Sequence, residues 1–301
     1  MEISLIKDGV AVEVSGTDVY GASSAQLQTL KELLHKHLVV VIKNQKRNPY
    51  RYTKLIETIG NGVANYSQMV HHTTGDRFEG PFVPTNRWNG SEADYPVQRV
   101  TGMKKNGERT GIFDTARLDW HANLNGLDRA DGVALQGWEG CENTSTSFLN
   151  TNLAYNDLDP SLKKEIQNLY CEYVYSPETW APGTSEKQLQ YMKRNGNPPY
   201  KMWLIQENIA GVKGLYFYTN NKCKIITEDS TLYDRLYKHM FQDKYIYQHW
   251  WEPGDIVLMD QILTLHKRDQ NEPEILAKRI LHRVTFNISN VNGWLQKRNV
   301  I

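Results

Sequence analysis

Apolar residues recur with two different periods along this chain, and the period decides which element each segment predicts. Ile3, Leu5, Val10, Val12 and Val14 carry a period of two across residues 1–20, with Asp8-Gly9 as the turn, so a short strand pair is expected. Leu27, Leu30, Leu33 and Leu34 instead share one helical stripe that runs to about His37, with Ser23 or Ser24 as the cap. Leu38-Val39-Val40-Val41-Ile42 is continuous and β-branched, the mark of a strand buried on both faces. Tyr52 to Ile59 predicts a further helix, closed by Gly60. From about Val70 to Arg99 no period survives; His71-His72 and repeated Gly and Pro suggest a long lid or binding loop.

Beyond that loop, Pro96–Met103 and Gly132–Trp138 predict strands, with a polar turn at Lys104–Glu108 between them. Glu142–Phe148 leads into a predicted helix carrying Leu149, Leu153 and Leu158, and Asp159-Pro160 begins another over residues 161–174. Residues 177–200, rich in Pro, Gly and Lys, read as a surface excursion. Short strands follow at Met202–Gln206, Gly214–Tyr218 and Lys224–Thr227, then a helix over Leu232–Phe241 and a strand over Ile246–Trp251. Many short strands with a few helices imply a β-sandwich or barrel dressed with helices. No repeat, low-complexity tract or linker marks a domain boundary.

The most informative stretch is Gly254–Asn287. An apolar, strand-like run from Ile256 to Leu265 ends on His266, a polar Asn-Glu-Pro loop follows, and Arg279–Asn287 alternates as a second strand. That alternation puts Arg279, Leu281, Arg283 and Thr285 on one face and Ile280, His282, Val284 and Phe286 on the other. Two arginines on one face of a half-buried strand are costly to desolvate, so they are expected to meet an anion or carboxylates. An ordinary hairpin with a solvated basic face remains the plain alternative.

Bulk properties narrow the field. A chain of 301 residues can bury a sizeable core as one large domain or two small ones. Lys plus Arg is 35 against 34 for Asp plus Glu, so no global basic field points to nucleic acid. Cys141, Cys171 and Cys223 form no CxxC pair and no disulfide framework, which fits a reducing compartment and a cytoplasmic location. The N-terminus shows no signal-peptide pattern, and no apolar run reaches the 18 or so residues of a membrane span.

The candidate chemistry lies in two segments. His121 and Asn123 are spaced i, i+2 and point the same way in an extended segment; with His266 they could put two or three ligands on one face of a metal. Imidazole suits iron, zinc, copper or nickel, and two histidines with a carboxylate indicate non-haem Fe(II) oxygen chemistry. Asn123 is not a carboxylate, however, and a histidine beside Trp120 is also a reasonable hydrogen-bonded core residue.

Several segments in order resemble the taurine dioxygenase (TauD/TfdA) family of Fe(II)- and 2-oxoglutarate-dependent oxygenases. These are LLHKHLVVVIKNQ, DWHAN where the family has Trp-His-x-Asp, NTSTSFLNTNLAYNDLDPSLK, WWEPGDIVLMDQILTLH and KRILHRVTFN. The resemblance implies a double-stranded β-helix (jelly-roll) core in one domain over residues 1–301, with 61–112 and 176–245 as variable lid or insert regions. It assigns His121 and His266 as iron ligands, Thr146 and Arg279 to 2-oxoglutarate, and Arg283 to the co-substrate site or an anionic group of the substrate. Arg117 falls at a pocket-lining position, and His72 in the candidate lid is a further substrate contact. For both, a solvated surface side chain is the simpler reading.

The departure is Asn123. It could ligate iron through its amide oxygen, or leave a site for a halide as in halogenating relatives, or mark a non-catalytic jelly-roll binding protein. The implied activity is hydroxylation of an unactivated C–H bond of a small substrate, an anionic one if Arg283 takes its handle, with dioxygen as the other reactant. No nucleic-acid or membrane partner is expected, and a homo-oligomer is left open.

Overall fold

The computed structural model describes residues 1–60, 70–71, 96–111, 113, 118–122, 131–173, 200–217, 223–270 and 272–288. The chain opens with the expected strand pair, β1 (Glu2–Ile6) and β2 (Ala11–Ser15), joined through a turn at Lys7–Gly9. Helix α1 (Ser24–His37) starts at a reciprocal cap, in which the Ser23 hydroxyl accepts from Gln26 N and the Gln26 side chain accepts from Ser23 N. Leu38 ends it in the left-handed conformation, and β3 (Val39–Ile42) follows at once. Helix α2 (Pro49–Ile59) begins three residues earlier than expected because Asn48 caps it and Pro49 suits the first turn.

In the middle of the chain come β4 (Val70–His71), β5 (Pro96–Val100), the small hairpin β6 (Lys104–Lys105) and β7 (Glu108–Arg109), and β8 (Gly132–Glu139). The helix expected to carry Leu149, Leu153 and Leu158 is shorter: Leu149 belongs to a strand, β9 (Ser145–Asn150), and helix α3 (Thr151–Asn156) carries only Leu153. Strand neighbours on both sides take up the β9 backbone, and the Asn150 side chain, accepting from Leu153 N, starts the helix only there. The helix expected over 161–174 is likewise cut short: α4 (Pro160–Ile166) ends, and β10 (Tyr170–Tyr173) pairs on both edges.

The rest follows as β11 (Tyr200–Trp203), β12 (Ile205–Glu207), β13 (Lys213–Leu215), β14 (Cys223–Ile226), a helix over Leu232–Met240 and β15 (Ile246–Trp250). The apolar run Ile256–Leu265 is two strands, not one. β16 (Ile256–Asp260) and β17 (Thr264–Arg268) lie in different sheets, and His266 sits in the middle of β17. The break is made by the buried Asp260 carboxylate, which accepts from Ile262 N at 2.8 Å and Leu263 N at 3.1 Å. A short helix over Pro273–Leu276 replaces part of the expected polar loop, and β18 (Ile280–Phe286) closes the described chain.

Eight strands form the larger sheet in the order β1-β2-β3-β16-β8-β18-β5-β4, and β15-β9-β17 form a smaller one. β3 shows how the layers stack. Val40 and Ile42 pack with Leu30, Leu34, Tyr52 and Ile56 of α1 and α2, whereas Val39 and Val41 belong to a core shared with Phe148 and Trp251 on the smaller sheet's side. The smaller sheet is covered in turn on its outer face, where Leu149 and Leu265 join a third core with β10, β11 and the 232–240 helix. This mostly-β, two-sheet sandwich with flanking helices is the expected jelly-roll class. No helix among the described residues is long and apolar enough to cross a membrane.

Candidate active site

Strand alternation aims a set of polar side chains into the space between the two sheets. In β17, Leu265 points to the outer core and Lys267 reaches over Trp120 at 5.1 Å, so His266 and Arg268 face inward. Thr146 of β9 is registered against Arg268, and Phe148 against His266. From the larger sheet, β18 contributes Leu281 and Arg283. Arg279 enters just before the strand, beside a register shift at Ile280/Leu281. The expected face of Arg279, Leu281 and Arg283 is therefore real, while His282 turns away and stacks on Trp138 at 4.2 Å. Together these side chains line a cavity that is open to solvent.

Two histidines converge in it. His121 and His266 exchange backbone hydrogen bonds, N–H to carbonyl, of 3.0 and 2.9 Å, and their ring centroids are 4.3 Å apart. His121 Nδ1 lies 2.6 Å from the carbonyl oxygen of Asp119. A carbonyl can only accept, so Nδ1 carries a proton and Nε2 is the nitrogen left to face a metal. Burial pushes the His266 imidazole well below its ordinary range, helped by the neighbouring His121 and Arg283. The His266 ring is thus favoured in the neutral form that a metal ion requires of an imidazole.

Beside them lies a buried cationic corner. Arg268, Arg279 and Arg283 are at most 5% exposed. Arg279 donates through Nη2 to Thr146 Oγ1 at 3.2 Å, and its Nε is buried without a hydrogen-bond partner among the described residues. Burial, then the proximity of Arg268, pushes its pKa down to about 9, with Cys141 and Asp269 acting the other way. Arg268 donates to Phe113 O at 2.7 Å, and the Arg283 guanidinium lies over the Phe113 ring at 5.7 Å. A guanidinium buried with a donor left over is a fit for an incoming carboxylate, which would supply both the charge and the acceptor.

Of the residues singled out in the sequence, His121, Thr146, His266, Arg279 and Arg283 share this one cavity. Asn123, Arg117, His72 and most of the 70–100 lid lie outside the described residues. Among the described residues no group of three or more His, Cys, Asp or Glu gathers as a metal cluster. Asp260 is no substitute ligand, since its carboxylate is committed to the turn and to Asn208 at 3.0 Å. Two residues of the site were not anticipated. Arg268 follows from His266 by the same i, i+2 rule once β17 is known to continue past the histidine. Trp251, whose Nε1 donates to Thr146 Oγ1 at 2.9 Å, had no local signal.

The family model of the taurine catabolism dioxygenase TauD, TfdA family matches residues 4–285. This chain belongs to that family. As a TauD/TfdA member it is an Fe(II)- and 2-oxoglutarate-dependent dioxygenase. It is 29% identical over 144 residues to the alpha-ketoglutarate-dependent 2,4-dichlorophenoxyacetate dioxygenase of Burkholderia sp. (strain RASC), covering 46% of this chain. That match spans about half (47%) of the relative's own length. Pentalenolactone F synthase of Streptomyces arenae is 23% identical over 246 residues, covering 75% of this chain and 79% of the synthase. Among solved structures, a taurine dioxygenase from Burkholderia xenovorans superposes with a TM-score of 0.68 at 16% identity, covering 95% and 88% of the two chains. AAD-2 in complex with Mn(II) and N-oxalylglycine gives 0.64 at 18% identity, covering 95% and 96%. These superpositions place the chain in the TauD/TfdA fold.

Proposed function

We propose that this TauD/TfdA enzyme hydroxylates an unactivated C–H bond of a small substrate that carries an anionic group. The observation that carries the reading is the meeting, in one cavity, of two imidazoles with ring centroids 4.3 Å apart and a buried, under-bonded Arg279. In this reading His121 and His266 hold Fe(II), with Asn123 as the third ligand, and Arg279 with Thr146 holds the distal carboxylate of 2-oxoglutarate. When bound, the metal and co-substrate supply the oxidising power, converting 2-oxoglutarate, dioxygen and a C–H bond to succinate, CO2 and an alcohol.

The chain's own tasks are to bind, orient and exclude water. The guanidinium fork of Arg279 matches a carboxylate better than a lysine point charge would, and its burial removes the water that would otherwise compete. Arg283, fixed over Phe113 on the same face of β18, is placed to take an anionic substrate group, and Arg268 adds a second positive charge nearby. Val100, Phe113, Leu135 and Leu281 make the remaining wall apolar, which suits a hydrocarbon portion held at the reacting end.

The test is anaerobic titration with Fe(II) and 2-oxoglutarate, read by the visible charge-transfer band. The wild type should develop the band, and His266→Ala should lose both the band and 2-oxoglutarate-dependent succinate formation. Absence of a band in wild type at adequate concentration would overturn the assignment of these residues to the metal and the co-substrate. Because Asn123 replaces the family's aspartate, turnover with and without chloride belongs in the same experiment. Halogenated product in the mass spectrum would replace hydroxylation with halogenation on the same scaffold.

A further inference from the structure

Thr146 sits in a hydrogen-bond arrangement that its place in the motif does not explain. Its Oγ1 accepts from two donors, the indole Nε1–H of Trp251 at 2.9 Å and Nη2–H of Arg279 at 3.2 Å. A threonine hydroxyl has two lone pairs and one proton. With both lone pairs engaged, the proton is left a single direction, and Thr146 lines the cavity.

Trp251 is itself held firmly. It is 1% exposed, its backbone N–H donates to Thr144 O at 2.9 Å, and its ring meets His249 edge-on at 4.6 Å. His249 is braced by Tyr247 Oη, 2.9 Å from Nδ1, and by the Asp255 carboxylate, 3.3 Å from Nε2. Lys43 donates to that carboxylate at 2.5 Å, and Lys43 with the nearby His249 holds it ionised against the burial that opposes them. The indole is thus one end of a chain of contacts that runs from Lys43, just past β3, through Asp255 and His249 to Thr146 at the cavity.

We propose that Trp251 is a positioning residue for 2-oxoglutarate: by occupying one lone pair of Thr146, it turns the hydroxyl into a donor aimed at the carboxylate that Arg279 attracts. This rests on the assignment of Thr146 and Arg279 to the co-substrate. Without the indole N–H, the hydroxyl is free to rotate and can present a lone pair to the carboxylate, an orientation that repels it. The indole removes that orientation before the ligand arrives, so the hydrogen bond costs less ordering on binding.

The dissociation constant of 2-oxoglutarate is measured by calorimetry on the Mn(II)-loaded protein without oxygen. Trp251→Phe removes the N–H and keeps a ring, and Thr146→Val removes the hydroxyl at nearly constant shape. Each is expected to weaken binding roughly five- to twentyfold. Trp251→Phe should cost less than about twofold more in the Thr146→Val background, because its effect passes through the hydroxyl. Additive losses, or an unchanged constant in Trp251→Phe, overturn the proposal. If Thr146→Val and Arg279→Gln both leave the constant unchanged, the co-substrate assignment itself has failed, which is a distinguishable result. A second readout does not depend on how Trp251→Phe folds. Of the eight tryptophan indole N–H resonances, one should move upfield in Thr146→Val and stay in place in Thr146→Ser. No indole shift in Thr146→Val also overturns the proposal.

Discussion

Arg279 shows how much a single side chain reveals in this protein. A guanidinium at 3% exposure, with an unpartnered Nε and Arg268 close enough to depress its pKa, is a poor way to stabilise a fold. It is a good way to hold an anion. Arg279→Gln should therefore raise the KM for 2-oxoglutarate by thirtyfold or more, on the order of 2 kcal/mol or above, as loss of one partner of a desolvated charge pair does. The metal-free variant should unfold at a temperature no lower than wild type, because a buried charge has gone; steady-state kinetics and a thermal melt check the two halves. The importance of Arg279 and Arg283 was legible as two arginines on one face of an alternating strand. Arg268 was not, since the apolar run was read as ending at His266, and Trp251 acts only through a bond to a distant strand.

Strands and helices were legible wherever the pattern is local and stops at a recognisable signal. α1 begins at its serine cap and β3 runs as an unbroken β-branched segment, as expected. The misread segments are those where neighbours overrule local preference. Ser145–Asn150 is drawn into a sheet by partners on both sides, and the turn at Asp260 hides inside an apolar run because Ile262 and Leu263 are themselves buried.

That turn has a pH signature. Burial raises the Asp260 carboxyl to about 6, against the opposing bonds from Asn208 and the turn amides, so the folded chain keeps a proton the unfolded chain has lost. Between about pH 4 and 6 the native state binds more protons, and stability should fall as pH rises through that window, by about 3 kcal/mol in total from this group. Asp260→Asn should flatten this part of the pH dependence. Its absolute stability should be lower, because the new amide faces Asn208 Nδ2 as a second donor. Urea unfolding at half-unit steps of pH measures both effects.

At the scale of the whole molecule, the site is a seam. His266 and Thr146 come from the smaller sheet, Arg283 from β18 inside the larger one and Arg279 from just before that strand, so ligands bound between them tie two layers together. Fe(II) and 2-oxoglutarate, each at about a hundred times its dissociation constant, should together stabilise the fold by about 5 kcal/mol, roughly 9 °C in Tm. The shift should vanish with a chelator and in His266→Ala; anaerobic melts with and without ligands provide the check. The amino-acid order alone determined the class of fold, the shared face of Arg279 and Arg283 opposite His282, and the spacing that resembles TauD/TfdA enzymes. Periodicity assigns a side chain to one side of its own strand and carries no information about which strand will face it. Only the stacking of two sheets, with the backbone bridge between residues 121 and 266, decided that those faces enclose a common cavity.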